Sequence, residues 1–136
     1  MDVYGKGIEG QRSRELLATL AGALQEVLDQ CSPKVFGKYP KLNLPAADCY
    51  NDKDMGHVLV GITGTKRVLG FLWNKRQVTG DARIVGGGFM DTRLFGYGNR
   101  GAHMLTHVRT YYPTTEELKE QLLAALARKK LLKHDI

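Results

Sequence analysis

The apolar positions of this chain change period twice. From about residue 9 or 14 to residue 30, Leu16, Leu17, Leu20, Ala21, Leu24, Val27 and Leu28 recur at three- and four-residue spacing. That spacing lays them along one face of an amphipathic helix. Ser13 is the expected N-cap. Cys31-Ser32-Pro33 ends the helix, because the residue before a proline is pushed out of the helical region. From His57 the period falls to two. Val58, Val60 and Ile62 alternate with Leu59 and Gly61, and Leu69, Phe71 and Trp73 alternate with Val68, Gly70 and Leu72. Thr63-Gly64-Thr65-Lys66 between them has turn chemistry, so the two runs predict a hairpin. Further strands are expected at 82–85, 90–95 and 102–112. Gly86, Gly87 and Gly88 are expected to separate the first two, since a glycine run is too flexible for the middle of an element.

The helical period returns after Pro113. Leu118, Leu122, Ala125 and Leu126 form its apolar face, and Thr114 with Glu117 has the pattern of a capping box. Glu116, Glu117 and Glu120 near the start, and Arg128, Lys129, Lys130 and Lys133 near the end, suit the helix dipole. Between the first helix and the hairpin, Pro33, Pro40 and Pro45 interrupt the chain, and Lys34, Lys38 and Lys41 are spaced along it. Residues 33–56 are therefore expected to be an irregular loop. The order is helix, a meander of four to five strands, then helix. Short links between strands favour antiparallel pairing, and the class is α+β in one domain over 1–136.

Composition adds little until charge is mapped. The apolar share of 43% and charged share of 25% are those of an ordinary globular chain and argue against disorder. The net charge is +6. Residues 57–112 hold eight basic and two acidic side chains, and ten of the sixteen glycines. The flanks nearly cancel, so the basicity belongs to the glycine-rich middle. Such segregation points to an anionic partner. Lys66, Arg67, Lys75, Arg76, Arg83, Arg93, Arg100 and Arg109 are the candidate phosphate contacts. Trp73, Phe89, Phe95, Tyr97, Tyr111 and Tyr112 interleave with them, and Tyr97 and Tyr111 are the aromatics assigned to the nucleic-acid surface. Basic side chains track phosphates and aromatic rings stack on bases in single-strand binders. The competing reading puts Phe71, Trp73 and Phe95 in the core and the arginines on strand edges, where they oppose aggregation. No recognition motif of a known nucleic-acid-binding class is present, and DNA and RNA are not distinguished.

A small enzyme acting on an anionic substrate is the further alternative, with weaker support. Asp91, His103 and His107 are the acid–base candidates, and no nucleophile motif accompanies them. On one continuous strand His103 and His107 would share a face with Leu105, Arg109 and Tyr111. They would then lie about 13 Å apart, too far to share an ion. No metal is expected. Gly96-Tyr97-Gly98-Asn99-Arg100-Gly101 fits G-x-G-x-x-G, but a strand-like run follows it where a dinucleotide site needs a helix. No cofactor is expected. The acids of 48–54 lack the spacing of a calcium loop.

Cys31 and Cys49 have no metal-ligand spacing and read as free thiols of a reducing cytoplasm. No run of about 18 apolar residues occurs, so no membrane span is expected. The partner classes are nucleic acid, or else a second copy of the chain or another protein, reached through a strand edge or the leucine stripe.

Overall fold

The structure is a computed structural model. It describes residues 8–50, 55–74, 83–91, 103–111 and 113–133, without the side chains of 8–13, 44–50, 55 and 103. In chain order the elements are α1 (Ile8–Asp29), α2 (Pro33–Phe36), β1 (Leu42–Tyr50), β2 (Met55–Ile62), β3 (Arg67–Asn74), β4 (Ile84–Asp91), β5 (His103–Met104), β6 (Val108–Arg109) and α3 (Thr115–Arg128). The strands form one antiparallel sheet in the order β1-β2-β3-β4-β5, with β6 also on β4. This is the expected α+β arrangement of helix, antiparallel meander and helix.

One face of the sheet is covered. Val58, Val60, Ile62, Leu69, Phe71, Trp73, Ile84, Phe89 and Val108 are buried there. They form one core with Leu16, Leu17, Leu20, Leu24, Val27 and Leu28 of α1 and Leu118, Leu122, Ala125 and Leu126 of α3. The short α2 adds Phe36, whose ring meets Phe89 edge-on with centroids 5.1 Å apart. Helix α1 packs on α3 and β1, and α3 reaches β6. The Lys119 ammonium lies 3.1 Å from Glu26 of α1 and 3.4 Å from Glu116. These two carboxylates raise the Lys119 pKa above its ordinary value. The pair is exposed and adds little stability.

Helix signals in the sequence were mostly sound. The Thr114 hydroxyl accepts a hydrogen bond from Glu117 N–H at 3.1 Å, which caps α3. Ser13, however, lies inside α1 and is not its N-cap. Glu9, Gln11 and Arg12 are good helix formers and carry the helix further upstream.

Three strand expectations change. Residues 33–56 are not a plain loop, because they hold α2 and β1. Pro45 misled: β1 is an edge strand whose register to β2 shifts between Asn43 and Ala47, and a proline is tolerated at such a bulge. Gly86, Gly87 and Gly88 do not break the sheet, since β4 runs straight through them. Close packing requires glycine there. A Cβ on Gly87 would lie 2.3 Å from the Gly70 carbonyl oxygen, and one on Gly88 would lie 2.2 Å from that of Thr106. Finally, 102–112 is not one strand. Met104 pairs with Met90 and Val108 with Gly87, so three residues oppose two, and the chain bulges at Leu105, Thr106 and His107. The N–H groups of Leu105 and Thr106 both donate to the Phe89 carbonyl, and Phe89 N–H donates to the Thr106 hydroxyl at 2.9 Å.

Cys31 closes α1. It is 1% exposed and its Sγ donates to the Val27 carbonyl at 3.3 Å. Burial pushes the thiol from its ordinary 9.0 up to about 12. It therefore stays protonated at neutral pH and is a poor nucleophile. A Cys49→Ser variant, which leaves this thiol alone, should react with a thiol reagent at pH 7.5 only as fast as the protein opens. Fast labelling of the native variant would contradict this burial. The raised pKa also has a stability consequence. Its contribution is complete below about pH 9 and is lost as pH rises from there towards about 12.

Candidate nucleic-acid interface

The helices and the core occupy one side of the sheet, and among the described residues no helix covers the other side, the open face. The pairing registers align its positions in rows. His57, Leu72, Gly86 and Arg109 make one row across β2, β3, β4 and β6. Leu59, Gly70 and Gly88 make the next, and Gly61, Val68, Met90 and Met104 the third. In the second row Met90 covers Gly70, since a Cβ there would fall 2.2 Å from the Met90 methyl carbon. In the first row nothing replaces the side chain that Gly86 lacks. The result is a groove of about 370 Å³ lined by Leu72, Val85, Gly86, Gly87, Met104, His107, Arg109 and Tyr111.

The bulge builds this groove. Because it inserts one residue, Met104 and Arg109 reach the open face although they are five positions apart in sequence. Thr106 and Val108 are buried, while His107, Arg109 and Tyr111 are exposed, Tyr111 to 77%. Among the described residues Arg109 has no ion-pair partner. The groove thus joins an apolar floor, one free guanidinium, one imidazole and one exposed aromatic ring.

The basic and aromatic residues singled out in the sequence fall in different places. Arg109 and Tyr111 line the groove. Arg83 is half-buried at the start of β4, towards the same end of the sheet, and Lys66 is exposed in the β2–β3 turn at the opposite end. Arg67 belongs to the covered side. It shares the phase of Leu69, Phe71 and Trp73, and its Nη1 lies 3.1 Å from Oδ2 of Asp91. A phosphate contact from Arg67 would have to break that ion pair. Lys75, Arg76, Arg93, Arg100 and Tyr97 lie outside the described residues, as do Phe95, Tyr112 and the 96–101 glycine motif. Of the other interleaved aromatics, Trp73 and Phe89 are core.

Of the acid–base candidates, His107 stands apart from Asp91, while the strand register sets His103 opposite Asp91. Asp91 is 3% exposed on the helix side of the sheet, whereas His107 is exposed on the open side. The register pairs His103 with Asp91, and the bulge separates it from His107. The single alternating face expected for His103, Leu105, His107, Arg109 and Tyr111 does not form, and Leu105 packs against the core instead. Among the described residues no three His, Cys, Asp or Glu side chains are arranged to hold a metal ion, and no helix is long and apolar enough to cross a membrane.

Sequence reading missed the floor of the groove, Leu72, Val85, Gly86, Gly87 and Met104. Its signal was the run of glycines on a face otherwise apolar. It also missed a second cluster. Lys38, Lys41 and Lys133 surround a smaller hollow of about 250 Å³ with Gln25, Asp29, Tyr39 and Pro40. Lys133 gets there because the chain after α3 turns back and pairs with the end of α1, Lys133 N–H donating to the Gln30 carbonyl at 2.8 Å. Against known proteins, no family model matches this sequence, no curated protein matches it and no solved structure matches its fold.

Proposed function

We propose that this chain is a non-enzymatic binding module for nucleic acid or a related polyanion, with the open sheet face as its interface. The observation that carries this is Arg109, which borders the glycine floor of the groove, has no ion-pair partner among the described residues, and shares the groove with exposed Tyr111. The excess of eight basic over two acidic residues in 57–112 adds the long-range attraction. A cytoplasmic setting suits the free thiol of Cys31.

A second copy of the chain is the competing occupant. Leu59, Leu72, Val85 and Met104 favour it, since an apolar sheet face is a natural dimer surface. The local positive charge opposes it, because a two-fold interface sets each patch against itself.

Titration with a labelled oligonucleotide at about 50 and about 200 mM salt separates the two readings. With about four phosphates contacted on duplex DNA, affinity should fall roughly 100-fold across that range. Arg109→Ala should weaken binding and lower the salt slope by about one. Absence of binding at the lower salt, together with a mass that doubles with concentration, would favour the dimer.

A further inference from the structure

Resting on that polyanion reading, we infer that the groove on the open face takes an unpaired base, so that the preferred ligand is single-stranded nucleic acid. Leu72 and Arg109 stand two strands apart with only Gly86 between them. At the usual strand spacing that opening is about 10 Å wide, enough for a flat ring to lie against bare backbone. The floor is held bare by packing. A Cβ on Gly86, which shares the phase of Leu72 and Arg109, would lie 3.0 Å from the Val108 carbonyl oxygen.

The walls match the two chemistries of a nucleotide. Leu72, Val85 and Met104 offer apolar contact, and Met104 is 40% exposed. The Tyr111 ring is exposed and free to stack, and every base has a π-face to receive it. Arg109 and His107 border the same groove, where the strand's phosphates would run. A duplex presents neither feature. Its bases are already stacked, and reading their edges takes a helix or a two-stranded ribbon in the major groove. Here α1 and α3 are packed into the core on the far side, and the open face is a broad sheet.

The test is fluorescence anisotropy with the full chain against three probes: a single-stranded oligonucleotide, an abasic strand of equal length and charge, and the matching duplex. The intact strand should bind at least about tenfold tighter than the abasic one, given what stacking contributes per base. Tyr111→Ala should weaken binding of the intact strand by roughly 5- to 150-fold, and Tyr111→Phe should retain it. Because Tyr111 is exposed, neither substitution threatens the fold. Equal affinity for intact and abasic strands, unchanged by Tyr111→Ala, would overturn the base pocket and leave the polyanion reading standing. Failure of all three probes to bind would overturn both.

Discussion

Asp91→Ala should destabilise the protein by roughly 2–4 kcal/mol, more than its place near the end of a strand suggests. The Asp91 side chain is 4% exposed and that of Arg67 18%. Removing the carboxylate strands a largely buried guanidinium, and breaking a buried pair from one side costs about 3–5 kcal/mol. The residual exposure of Arg67 lowers that figure. Arg67 is already poorly satisfied, with its Nε buried and lacking a hydrogen-bond partner. The double variant Arg67→Met/Asp91→Leu should therefore recover most of the loss, since apolar replacement of both partners is often neutral or better. Chemical denaturation of the four proteins gives the cycle. Additive losses in the double variant would show that the two side chains do not act as a pair.

Gly88→Ala should cost a similar amount, about 2–4 kcal/mol, combining overpacking with backbone strain. Gly88 has φ +154, and a Cβ would meet the carbonyl oxygen and carbon of Thr106 at 2.2 and 2.8 Å. These are backbone atoms and cannot swing aside. Thr106 is itself 2% exposed and bonded to Phe89 through N–H and hydroxyl. The strain must therefore lift the bulge off β4, and Arg109 and His107 move with it. The same substitution at Gly22 is the control. Gly22 lies in α1 with no heavy atom within 4 Å of an added Cβ, so alanine there should stabilise by about 0.5–1 kcal/mol. Thermal midpoints that move equally for the two alanines would contradict the packing described for β4.

The contrast between those glycines marks what the sequence could and could not disclose. Periodicity located α1, α3 and the β2–β3 hairpin because each buries a continuous stripe, and local pattern and tertiary burial agree there. It failed where a tertiary ladder overrides local preference. The three glycines of β4 are poor strand formers alone, but β3 pairs with all three and β6 pairs with Gly86 and Gly87. Pro45 breaks a central strand and is tolerated in an edge strand at a bulge.

For the candidate site, charge counting singled out Arg109 and the aromatic pattern singled out Tyr111, and both line the groove. Charge counting could not tell that Arg67 points to the helices, although the shared phase with Leu69, Phe71 and Trp73 carried that information. Nor could it find the bulge at Leu105, Thr106 and His107, which depends on Thr106 bonding to a residue 17 positions away. That bulge separates His103 and Asp91 from His107, which lines the groove.

The most direct test of the open face as the interface is a map of backbone amide shifts while a short single-stranded oligonucleotide is added to the isotopically labelled protein. The largest changes are expected at Leu72, Gly86, Gly87, Met104, Arg109 and Tyr111, with α1 and α3 nearly silent. Changes centred on Lys38, Lys41 and Lys133, with the sheet face unmoved, would contradict this and move the anion site to the other side of the molecule.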